Sequence, residues 1–561
     1  MSDAHFKHWP PGLPRHLSLP RVHLFHNIEV SAARYPDKAC TLFYGRALSY
    51  AAFRREAELL AGWLQQACGL QRGERVLLLM QNSPQWVLAY YAILRADAVV
   101  VPVNPMNRGE ELRHYVEDSG ARVAIVAQDL LPELAPLLGT AALAALLVAC
   151  YRDHLDPDAA TAALPDFVKA PRLAALPAGA THWAEALAAG HAPGPLRAGP
   201  QDLAVMPYTS GTTGRPKGCM HTHASVMSTL VGGVCWFGRN QDAVYLAALP
   251  FFHVTGMAGS MNGPLYLGAT IVILPRWDRE LAAQLIDRHR VTVWQSISTM
   301  MIDFLANPRL AEHDLSSLAI VRGGGAAMPA AVCARLKALT GLDYVEGYGM
   351  SEAMAATHIN PVHRPKPQCL GMPVFDVDAR IVDPQSLAEL PPGESGEILV
   401  HGPQLMQGYW RQPEATAEAF VTLDGKRFLR TGDMARVDED GYFFMTDRLK
   451  RMINASGYKV WPAEVEALMY GHPAVLEACV IGVPDARRGE TVKALVVLKP
   501  GVEAPSETAL IDWCHAHMAA YKSPRLIEFV AALPKSGSGK LMWRELQEQA
   551  RKDNNSPGDK T

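Results

Sequence analysis

The sequence predicts an α/β protein, with a large N-terminal domain of layered βαβ sheets and a small α+β C-terminal domain. Short, continuously apolar segments alternate with helical segments over most of the 561 residues. Apolar strands separated by helices are typical of sheets that are buried on both faces. From about Phe443 the pattern changes to strand, polar turn, strand, helix and strand, which indicates a separate domain of roughly 110 residues.

The predicted elements follow one another in a clear order. RVLLLM and AVVVPV are strands on either side of the helical SPQWVLAYYAILRA, and ARVAIVA, TIVIL and LAIVRGGG are further strands. In the small domain, TVKALVVLKP is a strand and ETALIDWCHAHMAAYKSP is a helix. The polar segment DRLK is the predicted linker, so the two domains are expected to cover residues 1–446 and 447–561.

Composition and charge argue against several classes of protein. The formal net charge is −3, so the chain lacks the basic surface typical of nucleic-acid binding. The nine cysteines include no CxxC pair, which favours reduced thiols in the cytoplasm over disulfides or a zinc site. We expect no secretory signal, because no charged segment precedes an apolar one at the N terminus. The most apolar run, residues 137–150, is too short to span a bilayer.

The segment YTSGTTGRPKG, residues 208–218, has the composition of a phosphate-binding loop. Glycines let the backbone approach a ligand closely, hydroxyl groups donate hydrogen bonds, and Lys217 adds a cation. Such a set forms a cradle for a polyphosphate, although a solvated turn is the alternative. The segment is not a Walker A motif, which requires GxxxxGK followed by Ser or Thr, and GSGKL near the C terminus also fails that pattern.

Motifs in order along the chain resemble those of the acyl-adenylate-forming superfamily, which includes acyl-CoA synthetases, adenylation domains and beetle luciferases. They are YTSGTTGRPKG, LPFFHVTG, GGGAAMP, GYGMSE, RTGD, DRLKRMINASGYKVWPAEVE and PKSGSGK. The resemblance spans nearly the whole chain and is strongest to bacterial fatty-acid–CoA ligases. It implies that a carboxylic acid reacts with ATP to give acyl-AMP, and that a thiol then displaces AMP. ATP, Mg²⁺ and CoA are therefore the expected cofactor and co-substrates.

The resemblance also implies which residues bind ATP and the metal. Glu352 matches the family's magnesium carboxylate, and Lys540 matches the catalytic lysine that bridges the substrate carboxylate and the α-phosphate. Tyr348 is expected to stack on adenine, and Asp433 to accept hydrogen bonds from the ribose hydroxyls. The predicted ATP contacts are Thr209, Ser210, Gly211, Thr212, Thr213, Gly214, Lys217, Gly324, Gly325, Ala326, Tyr348, Gly349, Ser351, Asp433 and Arg448.

For the second step, the resemblance implies that a mobile C-terminal domain rotates about a hinge at Lys450. Gly457 is then expected to line the pantetheine tunnel of CoA, and Lys459 stands where many relatives have arginine. His253 occupies the position of a gate between the acyl pocket and the thiol tunnel, where a hydrogen-bonded loop histidine is the alternative.

Two histidine pairs fall outside these motifs. His221 and His223, and likewise His515 and His517, are two residues apart, a spacing that does not bring two side chains to one side of a helix. We therefore expect all of them on the polar surface rather than as metal ligands.

The acyl pocket is predicted from small and apolar residues: Trp236, Met257, Ser296, Gly323, Met350 and Ala355. No charge suited to a substrate amine is present, which disfavours an amino acid. A medium- or long-chain fatty acid is predicted, with an aryl acid as the alternative. A carrier protein instead of CoA as acceptor, a nucleotide-binding pseudoenzyme and a homodimer also remain open.

Overall fold

The structure is a computed structural model and describes residues 3–140, 142–156, 164–209, 215–455, 458–485, 489–535 and 541–555. Its α-helices are α1 (Phe25–Arg34), α2 (Tyr50–Gln66), α3 (Pro84–Arg95), α4 (Gly109–Ser119), α5 (Leu131–Leu134), α6 (Asp166–Lys169), α7 (Trp183–Ala188), α8 (His223–Phe237), α9 (Val254–Gly256), α10 (Gly263–Leu267), α11 (Arg279–His289), α12 (Ser298–Leu305), α13 (Ala330–Thr340), α14 (Pro413–Ala419), α15 (Pro462–Met469), α16 (Glu507–His517) and α17 (Trp543–Asn555).

The strands are β1 (Ala39–Phe43), β2 (Arg46–Ser49), β3 (Arg75–Leu79), β4 (Val99–Pro102), β5 (Val123–Ala127), β6 (Ala145–Ala149), β7 (Ala180–His182), β8 (Leu203–Val205), β9 (His221–Thr222), β10 (Val244–Ala247), β11 (Thr270–Ile273), β12 (Val293–Ser296), β13 (Ile320–Gly324), β14 (Tyr344–Met350), β15 (Ala355–Ile359), β16 (Met372–Pro373), β17 (Asp378–Val382), β18 (Ser395–His401), β19 (Phe420–Leu423), β20 (Lys426–Val437), β21 (Phe443–Arg448), β22 (Ile453–Ala455), β23 (Tyr458–Val460), β24 (Val475–Asp485), β25 (Gly489–Leu498) and β26 (Leu526–Phe529).

The chain divides into two compact units. The larger unit consists of His5–Asp378 and His401–Arg427, and the smaller one contains Ala379–Val400 and the described residues from Phe428 onward. The predicted α/β class is confirmed, while the predicted domain boundary between residues 446 and 447 stays a prediction. Within the described residues, no helix combines the length and the apolar character that crossing a membrane requires.

The larger unit contains two sheets that are largely parallel. The nine-stranded sheet has the order β16-β15-β14-β13-β12-β10-β11-β1-β2, and the seven-stranded sheet has the order β7-β6-β5-β3-β4-β8-β9. One hydrophobic cluster joins residues of both sheets with α1, α2 and α3, and two further clusters cover the opposite faces. Both sheets are thus buried on both faces, as the continuous apolar strands predict.

Helix α3 illustrates why the sequence forms this core. The hydroxyl of Ser83 accepts a hydrogen bond from the backbone of Trp86, and Pro84 occupies the first turn, where no amide donor is needed. The helix is apolar on all sides, and Trp86, Tyr90 and Tyr91 are completely buried. A helix of this composition is stable only inside a large core, here among helices that pack between the two sheets.

The smaller unit contains the predicted C-terminal elements. Strands β23-β22-β25-β24 form a sheet in which β26 pairs with β25, and one face packs against α15 and α16. The opposite face packs against Trp543 and Ala550 of α17. A further sheet contains the neighbouring strands β17, β18 and β20, with β21 beside β20. The predicted series of strand, turn, strand, helix and strand is confirmed.

In the nine-stranded sheet, three of the motifs lie at the carboxyl ends of neighbouring strands. Strands β10, β12, β13 and β14 are parallel neighbours, so their carboxyl ends point the same way. LPFFHVTG follows β10, GGGAAMP begins within β13, and GYGM lies in β14. The carboxyl ends of parallel strands are where α/β proteins commonly bind ligands.

Candidate active site

The described ends of the segment that is predicted to bind phosphate are joined by a short antiparallel pairing. Tyr208 pairs with Gly218, and the Thr209 amide donates to the Lys217 carbonyl at 2.9 Å. The Lys217 amide in turn donates to Oγ1 of Thr209 at 3.3 Å. The predicted contacts in residues 210–214 lie outside the described residues. The backbone of Lys217 is therefore held by two hydrogen bonds with Thr209.

Tyr409 lies between the predicted phosphate-binding lysine and the predicted magnesium carboxylate. Nζ of Lys217 is 4.9 Å from the centre of the Tyr409 ring, within the range of a cation–π interaction. The Tyr409 hydroxyl donates a hydrogen bond of 2.8 Å to Oε1 of Glu352. Burial and the neighbouring Glu352 raise the pKa of Tyr409, so its hydroxyl keeps the proton that it donates. One aromatic side chain thus contacts both charged groups.

The backbone around Tyr409 is bonded to the same two motifs. The Met406 amide donates to the Glu352 carbonyl at 2.8 Å, and the Trp410 amide donates to the Gly218 carbonyl at 2.8 Å. Tyr409 was not among the residues predicted from the sequence. Its position between Gly408 and Trp410 gave no sign that this segment returns to the phosphate loop.

His221 and His223 are buried, so their predicted surface location is wrong. Nε2 of His221 lies 2.7 Å from the Ser351 carbonyl oxygen, which can only accept, so Nε2 must bear the proton. Burial lowers the pKa of His221 to about 4, and the imidazole is therefore neutral near pH 7. Nδ1 of His223 accepts from the Leu24 amide at 3.1 Å. In the C-terminal pair, His515 and His517 are exposed as predicted.

The predicted adenine slot is built from closely packed backbone. A Cβ atom at Gly349 would lie 1.6 Å from the Ala355 carbonyl oxygen, and one at Gly324 would lie 2.2 Å from the Gly347 carbonyl oxygen. Neither position can hold a side chain without a backbone shift. Tyr348, between Gly347 and Gly349 in β14, is buried, whereas Gly325 and Ala326 are exposed.

Glu346 connects the adenine-slot motif to a second loop. Its carboxylate accepts from the Met328 amide at 3.3 Å and from the Gln368 amide at 2.9 Å. Burial raises the pKa of Glu346 to about 7, although these two hydrogen bonds lower it. Glu346 was not predicted as a functional residue. Its role in the fold is to hold the end of GGGAAMP.

The predicted acyl-pocket residues occupy different surroundings. Met257 and Ser296 are completely buried, whereas Trp236 packs edge-on against Trp9 and Phe375. Ala355 has φ of +94°, a backbone conformation that is strained for alanine. Gly323 and Met350 lie at the ends of β13 and β14. The assignment of these residues to an acyl pocket stays a prediction.

His253 forms a local hydrogen bond. Its Nδ1 accepts from the Thr255 amide at 3.3 Å, at the start of α9. This contact fits the alternative of a hydrogen-bonded loop histidine, and the gate role stays a prediction.

In the smaller unit, Asp433 of β20 and Arg448 of β21 are backbone partners in an antiparallel strand pair. Residues 430–432 of β20, directly before Asp433, are held by the buried Glu397, which was not predicted from the sequence. Glu397 accepts from Nε of Arg430 at 3.1 Å and from the Gly432 amide at 3.1 Å. A charge-assisted pair of this kind holds this part of β20 and hence the backbone of Asp433.

The remaining predicted residues belong to the same unit. Lys450 lies in the short helical turn Leu449–Arg451, and Lys459 lies on β23 opposite Asn454. Gly457 and Lys540 lie outside the described residues. The hinge, CoA and catalytic roles of these four residues stay predictions.

The fold, with three motifs at the carboxyl ends of neighbouring parallel strands, is one that α/β enzymes commonly use to bind ligands. The family model of the AMP-binding enzymes matches residues 28–410, and that of the AMP-binding enzyme C-terminal domain matches residues 464–540. The chain belongs to the AMP-binding enzyme family. The family predicted from the motifs is thereby confirmed.

Similar proteins cover nearly the whole chain. A long-chain-fatty-acid–CoA ligase of Bacillus subtilis (strain 168) is 37% identical over 553 residues, which are 96% of this chain and 97% of the relative. A feruloyl-CoA synthase of an Amycolatopsis species is 37% identical over 505 residues, 90% of this chain and 94% of the relative. The crystal structure of ATP-bound MatB from Rhodopseudomonas palustris has a TM-score of 0.83 and 29% identity, covering 94% of this chain and 99% of that chain.

Proposed function

We propose that the chain is an ATP-dependent acyl-CoA synthetase that converts a medium- or long-chain fatty acid into its CoA thioester, through acyl-AMP. The proposal rests chiefly on the meeting of Lys217 and Glu352 at Tyr409. A cation and a carboxylate side by side suit the phosphates of ATP and their magnesium ion. The 37% identity to a long-chain-fatty-acid–CoA ligase over 96% of this chain supports the choice of acid.

The residues fit a magnesium ion that is held mainly by substrate. In the part of the chain that the structure describes, no cluster of three or more His, Cys, Asp or Glu forms a metal cage. One carboxylate together with phosphate oxygens is a common way to hold Mg²⁺, which neutralises phosphate charge when bound. Glu352 supplies that carboxylate, and Tyr409 orients it.

The proposed reaction has two half-reactions. A carboxylate oxygen of the acid attacks the α-phosphorus of ATP, and the bond to pyrophosphate breaks. Lys217 neutralises the outer phosphates, while Lys540 stabilises the charge that develops between acid and α-phosphate. The CoA sulfur then attacks the acyl carbonyl carbon and AMP leaves, with the thiol proton passing to solvent. The proposal includes two domains, residues 1–446 and 447–561. The C-terminal domain rotates about a hinge at Lys450 between the two steps.

An aryl acid is the second candidate substrate, because the feruloyl-CoA synthase is as identical to this chain as the fatty-acid ligase. The buried Met257 provides an apolar wall for either class of acid. We also propose a cytoplasmic location, where ATP and CoA are available, and a homodimer, which light scattering of the purified protein would test.

The function is tested by supplying the purified protein with ATP, Mg²⁺, CoA and a mixture of fatty, aryl and amino acids. Mass spectrometry is expected to detect one dominant fatty-acyl thioester together with AMP and pyrophosphate. Acyl-AMP without a thioester would instead point to a carrier protein as acceptor. Bound ATP without any product would contradict the proposal and favour a nucleotide-binding pseudoenzyme.

A further inference from the structure

A group of buried polar atoms without hydrogen-bond partners lies beside the predicted acyl pocket. In the described part of the chain, three such atoms are Oγ of Ser260, Oε1 of Gln295 and Nε of Arg322. Ser260 belongs to a π-helical turn that starts at Met257, a predicted pocket residue. Folded proteins leave few buried polar atoms unsatisfied, so a concentration of them indicates a missing partner.

Gln295 and Arg322 approach the same point of that π-helical turn. They are direct neighbours in register on the parallel strands β12 and β13, so their side chains leave the sheet on the same face. A Cβ atom at Gly259 would lie 1.9 Å from Oε1 of Gln295 and 3.1 Å from Nη2 of Arg322. Nη2 of Arg322 also donates to the Gly259 carbonyl at 3.0 Å. Turns of π-helix occur frequently at functional sites.

The environment of Arg322 lacks a balancing negative charge. Its guanidinium lies 4.1 Å from the centre of the Phe237 ring, and within the described residues no carboxylate forms an ion pair with it. Burial and the like charge of Arg239 lower the pKa of Arg322. A buried cation is costly unless its donors are used. One hydrogen bond to Gly259 uses only part of its donor capacity.

We propose that Arg322 and Gln295 bind a hydroxyl group of the substrate acid, at a distance from the carboxylate that reacts, and that the preferred substrates are therefore hydroxylated acids. A hydroxyl group accepts one hydrogen bond and donates another. It accepts from Nε of Arg322 and donates to Oε1 of Gln295. A hydrocarbon end leaves both of these polar groups unpaired. Sites built to bind a hydroxyl group discriminate strongly against the analogue that lacks it.

This inference rests on the proposed synthetase activity. Pairs of acids that differ only in a hydroxyl group test the inference separately from that activity. Thioester formation is measured with cinnamic and 4-hydroxycinnamic acid, and with hexadecanoic and 16-hydroxyhexadecanoic acid. We expect kcat/KM to be at least about 10-fold higher for the hydroxylated acid in one pair or both. Equal values, or higher values for the unhydroxylated acids, would overturn the inference and leave the synthetase activity standing. No thioester from any acid would overturn the proposed function, and this inference with it.

Variants identify the residues that produce the preference. Gln295→Met keeps the side-chain length and removes the acceptor, whereas Arg322→Met removes the guanidinium donors and leaves a shorter, apolar side chain. Each substitution is expected to bring the kcat/KM values for the hydroxylated and the unhydroxylated acid closer to each other. Arg335→Met, at an exposed position on α13, is the matched control and should keep the preference. An unchanged preference in folded Gln295→Met would assign the hydroxyl group to other residues, even if Arg322→Met failed to fold.

Discussion

The Tyr409 hydroxyl donates a hydrogen bond of 2.8 Å to Oε1 of Glu352, while its ring lies 4.9 Å from Nζ of Lys217. The two charged side chains come from separate motifs that are more than 100 residues apart in the sequence. Tyr409 therefore couples the orientation of the proposed metal carboxylate to that of the proposed phosphate-binding lysine.

Tyr409→Phe is expected to lower kcat/KM for ATP about 10-fold and to raise the Mg²⁺ concentration needed for half-maximal rate. The substitution removes the hydrogen bond to Glu352, and hydrogen bonds to charged groups contribute about 1.5–3 kcal/mol. Phenylalanine keeps the ring beside Lys217, so the cation–π contact remains. The rate of pyrophosphate release over a Mg²⁺ titration provides the measurement. Tyr470→Phe, at a 51% exposed position, is the control. Equal Mg²⁺ dependence in both variants would contradict the role of Tyr409.

Lys540→Ala is expected to lower acyl-AMP formation by about 10²-fold or more, because it removes the cation that stabilises the charge developing at the α-phosphate. Thioester formation from supplied acyl-AMP should remain largely intact. The two half-reactions are measured separately, as pyrophosphate release and as acyl-CoA formation. Lys535→Ala is a suitable control, since this lysine is close to Lys540 in the sequence and its ammonium pairs with Glu477. Equal losses in both half-reactions would contradict the assignment of separate residues to the two steps.

Glu346 is expected to make stability depend on pH. Because its pKa is raised from 4.5 to about 7 in the folded protein, the folded state binds a proton that the unfolded state has released. The contribution of Glu346 to the free energy of unfolding therefore falls as pH rises from 4.5 to 7, by up to about 3 kcal/mol. Gln cannot titrate, so the melting temperature of the wild type relative to Glu346→Gln should decrease over this range.

Calorimetry between pH 5 and 8 provides the comparison for Glu346. Glu418→Gln, at an exposed position on α14, controls for the loss of one negative charge. A difference between wild type and Glu346→Gln that is constant with pH would show that the carboxyl group ionises normally.

Ala355→Gly is expected to stabilise the protein by about 1 kcal/mol. Ala355 has φ of +94°, and glycine adopts positive φ without the strain of a Cβ atom. The neighbouring Ala356 has no positive φ, so Ala356→Gly should instead destabilise by about 0.5–1 kcal/mol. Melting temperatures of the two variants should move in opposite directions. Destabilisation by both substitutions would mean that loss of packing exceeds the relief of strain.

Most of the larger unit's architecture was predictable, because its strands are short and apolar without interruption. RVLLLM became β3 and LAIVRGGG became β13, while SPQWVLAYYAILRA became α3. The order of the strands within each sheet was not predictable in the same way. Apolar runs of similar composition fit several neighbours equally well, and the choice depends on packing between distant parts of the chain.

The candidate site, too, could be predicted from the sequence only in part. Motif residues such as Lys217 and Glu352 were found because their sequence context is distinctive, whereas Tyr409 contacts them only through the fold. His221 was assigned to the surface from its spacing, yet it begins the short buried strand β9, where spacing rules for helices do not apply. The polar pair Gln295 and Arg322 became visible only through the register of β12 and β13.

The close backbone packing at Gly324 and Gly349 has a consequence for exhaustive mutagenesis. In a deep mutational scan these two positions should tolerate no replacement, whichever acid is supplied, because every side chain meets a carbonyl oxygen of the protein itself. Their intolerance would report steric exclusion by the chain rather than recognition of the acid. Positions that discriminate between acids should instead be tolerant with one acid and intolerant with another, which allows a scan on two substrates to separate scaffold from specificity.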